Sequence, residues 1–273
     1  MIKFITDSTA CLKKADAADL GVKIVPVCYT VGKQSFFETF SDKNGNFEDL
    51  IKAESKFTTA HPNPASFLSA FEEELLLGND VLCITISSRL SGTYNSAYSA
   101  AKQTERENIY VFDSQLTAGG LQLLLGEAKK LADSGHSLNE IVMKLSEIRD
   151  KITVAFSVHD MTPLRNSGRI GFVRIGIGTI LNIRPILLCD EGAVVFDSVA
   201  RGSNEIIEKL VAKVPPEASE VVINYISNER TAIHLHDVLK ERHPHLKMKL
   251  SKIGPVLAIH LGLQTVGVSF IVS

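Results

Sequence analysis

Ser91, Gly92 and Thr93 follow a short apolar run, Val81 to Ile86, rich in β-branched residues, and open the small-residue stretch Gly92 to Lys102. That order predicts a strand, a polar turn and a helix N-terminus. Ligands of open α/β sheets collect at the carboxyl ends of strands, and the free N–H groups of a first helical turn attract anions. Ser91 would offer a hydroxyl beside those amides to a carboxylate or a phosphate. The competing assignment is an N-cap serine on a helix packed against a sheet.

Other polar residues offer less. Asp7 closes the first apolar run and is expected to be a turn or cap residue rather than an acid catalyst. His234, His236, His243 and His245 are close in sequence, but helical residues two apart point to nearly opposite sides, and Pro244 separates the second pair. No metal is expected there. The chain has no G-x-x-x-x-G-K-[ST] loop, so it is not expected to bind ATP itself.

The elements that would position these residues alternate. Ile2 to Thr6 is expected as the first strand, followed by a helix over Leu12 to Leu20 and a second strand over Val22 to Val31. Pro26 interrupts that strand, which suggests an edge or a bulge. Phe47 to Ser55 has a helical apolar face, Phe57 to Pro64 is expected as a loop, and Asn63 with Pro64 should cap and start a helix running to Leu77. After the Ser91 segment come a strand over Ile109 to Phe112 and amphipathic helices over Gly119 to Ser134 and Leu138 to Lys151. This alternation argues for a parallel sheet covered on both faces.

The second half changes rhythm. Ile152 to Val158 should be a strand and Asp160 to Asn166 a helical turn; Arg184 to Leu188 and Val194 to Ser198 flank Asp190-Glu-Gly192 as a hairpin. Ser203 to Val211 and Glu229 to Glu241 are expected as helices around a strand over Val221 to Ile226. Lys247 to Ile253, a short helix from Gly254 to His260 and a last strand over Val266 to Val272 complete the chain. Its 273 residues suggest two domains, 1–158 and 159–273.

Hydrophobic residues at 45% and charged residues at 22% suit a soluble globular protein, and a net charge of −2 implies no basic field for nucleic acid. Cys11, Cys28, Cys83 and Cys189 are widely spaced, and Cys28 and Cys83 lie in strand-like runs, so buried free thiols in a reducing cytosol are expected. The opening Met1-Ile-Lys-Phe-Ile-Thr-Asp reads as a strand rather than a leader, which again suggests a cytoplasmic protein. No apolar run approaches the ~18 residues of a membrane span, so contact with lipid would be at a membrane surface or through a pocket.

Together, Ile5-Thr-Asp-Ser-Thr9, Thr59-Ala-His-Pro-Asn-Pro64, Ile86 to Ala97, Val111-Phe-Asp-Ser114, Gly168-Arg-Ile-Gly171, Ile183-Arg-Pro-Ile-Leu187 and Gly254-Pro-Val resemble the DegV family of fatty-acid-binding proteins, nearly end to end. The resemblance implies a two-domain α/β fold: an N-terminal parallel sheet flanked by helices, and a smaller C-terminal α/β domain with a mixed or antiparallel sheet. One long-chain fatty acid would lie in a tunnel between them, with no other cofactor. It also implies the role of lipid-binding subunit, without catalysis of its own, for an ATP-dependent fatty acid kinase whose acyl-phosphate product feeds phospholipid synthesis.

The family pattern places the carboxylate on residues that correspond to Ser91, Thr59 and His260, beside the amides of Gly92 and Thr93. Two departures stand out. The family's Thr-Ser-Gln-Pro loop is here Thr59-Ala-His-Pro62, and Leu261-Gly-Leu-Gln-Thr-Val replaces a Gly-Pro-Gly turn after His260. The nearby Arg165, Arg169 and Arg174 could be simply solvated, or could dock an acidic partner or meet the acyl-phosphate.

The chemistry of such a ligand suits these residues. Each buried methylene is favoured by about 0.8 kcal/mol, so a sixteen-carbon tail gains on the order of 10 kcal/mol gross, while an ionised head taken from water without partners is strongly disfavoured. Hydroxyls and first-turn amides supply neutral hydrogen bonds to the head. The alternatives are a serine hydrolase or acyltransferase using Ser91, and a lipid-sensing regulatory protein. Against the hydrolase, Arg89-Leu-Ser-Gly-Thr93 lacks the first glycine of G-x-S-x-G.

Overall fold

The computed structural model describes residues 1–54, 56–170 and 183–272. In chain order it runs β1 (Ile2–Asp7), α1 (Lys14–Leu20), β2 (Val22–Val25), β3 (Val27–Val31), β4 (Gln34–Glu38), α2 (Phe47–Ala53) and β5 (Phe57–Ala60). Next come α3 (Pro64–Leu76), β6 (Asp80–Thr85), α4 (Thr93–Gln103), β7 (Ile109–Asp113), α5 (Ala118–Asp133), α6 (Leu138–Arg149), β8 (Ile152–Ser157) and α7 (Thr162–Asn166). The remainder is β9 (Ile183–Asp190), β10 (Ala193–Arg201), α8 (Gly202–Lys213), β11 (Ala218–Tyr225), α9 (Glu229–Arg242), β12 (Lys247–Lys252), α10 (Pro255–Leu261) and β13 (Val266–Val272).

The first sheet, in the order β2-β1-β6-β7, is parallel throughout, as the strand–helix alternation predicts. Its central strands are apolar on both faces because helices cover both, and Val81, Leu82, Cys83 and Ile84 are fully buried. The second sheet, β10-β9-β8-β13-β11-β12, is mixed: only the β11–β12 pair is parallel. β8, which precedes residue 158, belongs to it. The β9–β10 hairpin turns on Glu191 and Gly192, both at positive φ (44° and 81°), as the Asp190-Glu-Gly192 signal anticipates.

A third small sheet, β4-β3-β5, corrects two expectations. Val22 to Val31 is not one strand: Pro26 marks the point where the chain leaves the edge of the first sheet and enters the third. Phe57 to Ala60 is a strand rather than a loop, paired with β3. Its four residues include two threonines and carry no apolar alternation, and the strand that completes its ladder lies far back in the sequence. Val27, Tyr29 and Val31 alternate inward against Val256 and Ile259 of α10. Cys28 points to the other face and is only half-buried, unlike Cys83.

α5 lies between the first and second sheets. The sequence suggests an amphipathic helix, yet everything from Ala118 to Leu125 is buried, because each side meets a sheet. The contact is close. A Cβ on Gly119 would lie 2.4 Å from Asn224 Oδ1, and one on Gly120 2.5 Å from Val154 Cγ2. Among the described residues no helix is long and apolar enough to cross a membrane.

Gly119→Ala is expected to destabilise the protein by about 1–3 kcal/mol through overpacking. Gly126→Ala, in the same helix with nothing within 4 Å of the added carbon, should be neutral or stabilise by up to about 1 kcal/mol. Denaturant unfolding of the two variants tests this; equal effects would mean that the helix–sheet spacing is not set at Gly119.

Candidate functional site

The carboxyl ends of β1 and β6 are tied by Asp7. Its Oδ2 accepts the Ile86 amide at 2.8 Å and its Oδ1 accepts the amide of Thr9 at 3.0 Å, so it caps the 3-10 turn Ser8–Ala10. Burial pushes this carboxyl up, against the pull of the hydrogen bonds from Thr9 and Ile86. The loop that follows β6 is pinned from two sides. The Ser88 amide donates to Asp113 Oδ1 of β7 at 3.0 Å. Ser87 Oγ donates to the Gly192 carbonyl at 2.6 Å, and Arg89 Nη1 to the Glu191 carbonyl at 3.0 Å.

This pinned loop delivers Ser91 to the start of α4. Ser91 Oγ lies 2.9 Å from Thr93 Oγ1 and accepts the Thr93 amide at 3.3 Å. The N-cap of α4 is Gly92, with no side-chain cap, so Ser91 stands one residue ahead of the N-cap position and lines a cavity. The imidazole of His61 lies across Gly92, where a Cβ would come within 2.7 Å of its Cδ2, and its Nδ1 is 3.1 Å from Ser96 Oγ. The sequence flags this imidazole as a departure but gives no indication of the packing that only glycine at 92 permits.

Thr59 and His260 meet from opposite ends of the chain, with Thr59 Oγ1 2.8 Å from His260 Nε2. The β3–β5 pairing fixes Thr59 opposite Tyr29, and His260 rides on the last turn of α10. Burial, with Arg169 nearby as the smaller cause, pushes the His260 imidazole down to about 4, so it is neutral at pH 7. Its Nδ1 is buried without a partner.

A residue the sequence did not single out holds α10 in place. Glu38, at the end of β4, accepts the Val256 amide at 2.7 Å, and the absence of a side chain on Gly254 makes room for it, since a Cβ there would lie 2.6 Å from Glu38 Oε2. Glu38 is buried, and desolvation pushes its carboxyl up to about 8. Only the pairing of β4 with β3 puts this acid beside a helix more than two hundred residues later.

Thr59, Ser91, Gly92, Thr93, His260 and Arg169 all line one cavity of about 120 Å³. Its remaining wall is mostly apolar, with Val154, Phe156, Leu164, Val194, Leu257 and Val268 contributed by the second sheet, α7 and α10. Arg169 donates through Nε to the Leu90 carbonyl at 3.4 Å and through Nη1 to the Ser167 carbonyl. Arg165, on α7, is exposed and does not line the cavity, and Arg174 lies outside the described residues. Of the clustered histidines, His243 and His245 stack edge to face with ring centres 6.2 Å apart.

Two measurements follow from these charges. Glu38 binds its proton more tightly folded (about 8) than unfolded (4.5), so the stability it contributes is complete below pH 4.5 and is lost as pH rises through 8. Glu38→Gln keeps an acceptor for the Val256 amide but cannot ionise, so the wild type should lose several degrees of melting temperature relative to the variant between pH 5 and 8. Parallel profiles would contradict the assignment. In NMR titration of the ligand-free protein, the His260 ring should stay neutral until about pH 4, and a bound carboxylate should raise that midpoint; a free-state midpoint near the ordinary 6.5 would contradict the buried placement.

A family model described as uncharacterised protein, DegV family, matches residues 1–273. A DegV lipid binding protein from Thermotoga maritima is 28% identical, with 99% of this chain and 98% of that one covered and a TM-score of 0.90. A DegV family protein from Thermus thermophilus, whose structure concerns fatty acid binding, is 29% identical with a TM-score of 0.87 and coverage of 100% and 99%. The B3 protein of the Streptococcus pneumoniae fatty acid kinase, loaded with linoleic acid, shares the fold at 22% identity, a TM-score of 0.85 and full coverage of both chains. End-to-end agreement in sequence pattern, strand order and overall shape leads to one conclusion: this chain belongs to the DegV family.

Proposed function

We propose that this protein binds a long-chain fatty acid in the cavity and presents its carboxylate to a separate ATP-dependent kinase that forms the acyl-phosphate. The observation that carries this reading is the cavity itself, a largely apolar enclosure whose polar groups include a hydroxyl–imidazole pair, Thr59 with His260, and a hydroxyl pair, Ser91 with Thr93. Apolar walls favour the tail by roughly 0.8 kcal/mol per methylene. The hydroxyls and the first-turn amides of α4 accept the head without a permanent ion pair, which leaves a carboxylate oxygen free for phosphoryl transfer. Arg169, the cation lining the cavity among the described residues, is suited to the charge of the phosphorylated product. The fatty acids and lipid associated with the relatives from Thermus and Thermotoga support the ligand, and the pneumococcal kinase component of the same fold supports the partner.

In this reading the chain divides near residue 158, with the ligand between the two parts. A Ser91 hydrolase is less well supported: Ser91 is engaged with Thr93, while the two histidines of the cavity are engaged with Ser96 and Thr59.

Organic extraction of the purified protein followed by mass spectrometry should yield stoichiometric fatty acid. Ser91→Ala and Thr59→Val should each weaken oleate binding about tenfold, the expected loss of one hydrogen bond to a charged group, with the fold intact by circular dichroism. A protein that is empty and also fails to bind added palmitate or oleate would end the proposal. Unchanged affinity together with unchanged partner-dependent turnover in both variants would dismiss the headgroup assignment.

A further inference from the structure

The cavity holds polar groups that the headgroup cradle does not use. Asn224 of β11 is 4% exposed and lines the cavity. Its Oδ1 accepts the Gly119 amide at 3.1 Å and the Ser269 hydroxyl at 3.3 Å, which fixes the orientation of the amide group. Nδ2, with two N–H donors, is buried and has no partner. Thr117, two residues before Gly119, also lines the cavity, and its buried hydroxyl has no partner either. Gly267, opposite Asn224 on β13, also lines the cavity, and its missing side chain lets β13 pack against Phe156 of β8.

Both groups belong to the lining of the same largely apolar cavity. Leaving a buried polar group unpaired is costly, so a ligand atom that satisfies both is favoured there. An ionised group is not: among the described residues no cation pairs with Asn224 or Thr117, and the acid head has its own cradle at Thr59, Ser91 and His260. The complement is a neutral oxygen that accepts from Asn224 Nδ2 and exchanges a hydrogen bond with Thr117. We propose that Asn224 and Thr117 form a subsite for a hydroxyl or keto oxygen carried along the acyl chain, so that the protein selects oxygenated fatty acids over plain ones of equal length. This rests on the fatty-acid reading of the cavity.

The test compares dissociation constants for stearate and for a set of hydroxystearates substituted at successive carbons. In a channel that offered the hydroxyl nothing, every hydroxystearate would bind more weakly than stearate. The expected result is that at least one isomer binds as tightly as stearate or tighter. Thr117→Val, nearly the same shape without the hydroxyl donor, should shift the ratio for that isomer at least fivefold toward stearate. Asn224→Ala should shift it further, with thermal unfolding used to confirm that the variant folds. Stearate preferred over every isomer, or a ratio unmoved by Thr117→Val, would overturn the subsite and mean that water alone serves these groups. Failure of stearate itself to bind would instead remove the fatty-acid reading, so the two failures are distinguishable.

Discussion

The close approach of α5 to the second sheet sets the spacing on which the rest of the molecule depends. Two adjacent glycines let the helix backbone come against Asn224, Ser269 and Val154 where any side chain would collide. With the first sheet on its other side, the helix joins both sheets in one continuous core that includes Phe4, Leu82, Leu124, Val154, Val222 and Ile271. Close packing makes such a joint stiff. The carboxyl ends of β1 and β6 therefore stand at a fixed distance from β8, β11 and β13, and the cavity is the space left between them.

Around that space the protein keeps charge low by burial. Asp7 and Glu38 are pushed toward their protonated forms and His260 toward its neutral form, in each case chiefly by desolvation. Among the described residues, the polar groups that line the cavity are hydroxyls, amides, two imidazoles and one guanidinium. Such a lining suits the proposed ligand, with an aliphatic tail and an acid head, because it demands no ion pair that the tail would have to displace. It also suits a carrier whose ligand must leave: neutral hydrogen bonds are individually modest.

The residues proposed to hold the head are positioned by pieces from four parts of the chain. The hairpin turn at Glu191 and Gly192 and the side chain of Asp113 fix the Ser91 loop, while the β3–β5 ladder and the Glu38 contact fix Thr59 and His260 relative to each other. Much of the scaffold behind this was visible in the sequence. Alternation of strands and helices gave the parallel sheet, Asn63-Pro64 gave the start of α3, where Asn63 Oδ1 accepts the Ser66 amide at 2.9 Å, and Pro26 marked a real break. The small third sheet was not visible, because β4 and β5 are short, partly exposed and without clean apolar alternation, and acquire their structure from pairing with β3.

What the sequence determined by itself is local: periodicities, caps and turn residues, and the strand–loop–helix unit at Ser91, all of which act over a few residues. Its ordered motifs also carried the family resemblance, and with it the expectation that Thr59, Ser91 and His260 share one site; the structure joins Thr59 to His260 and Ser91 to Thr93 along one cavity. Only the tertiary structure decided that Glu38 anchors α10, that His61 packs on Gly92, and that Asn224 and Thr117 line the same cavity. Those contacts join residues tens to hundreds of positions apart, and they exist because three sheets and one buried helix pack in a single arrangement that no short-range pattern encodes.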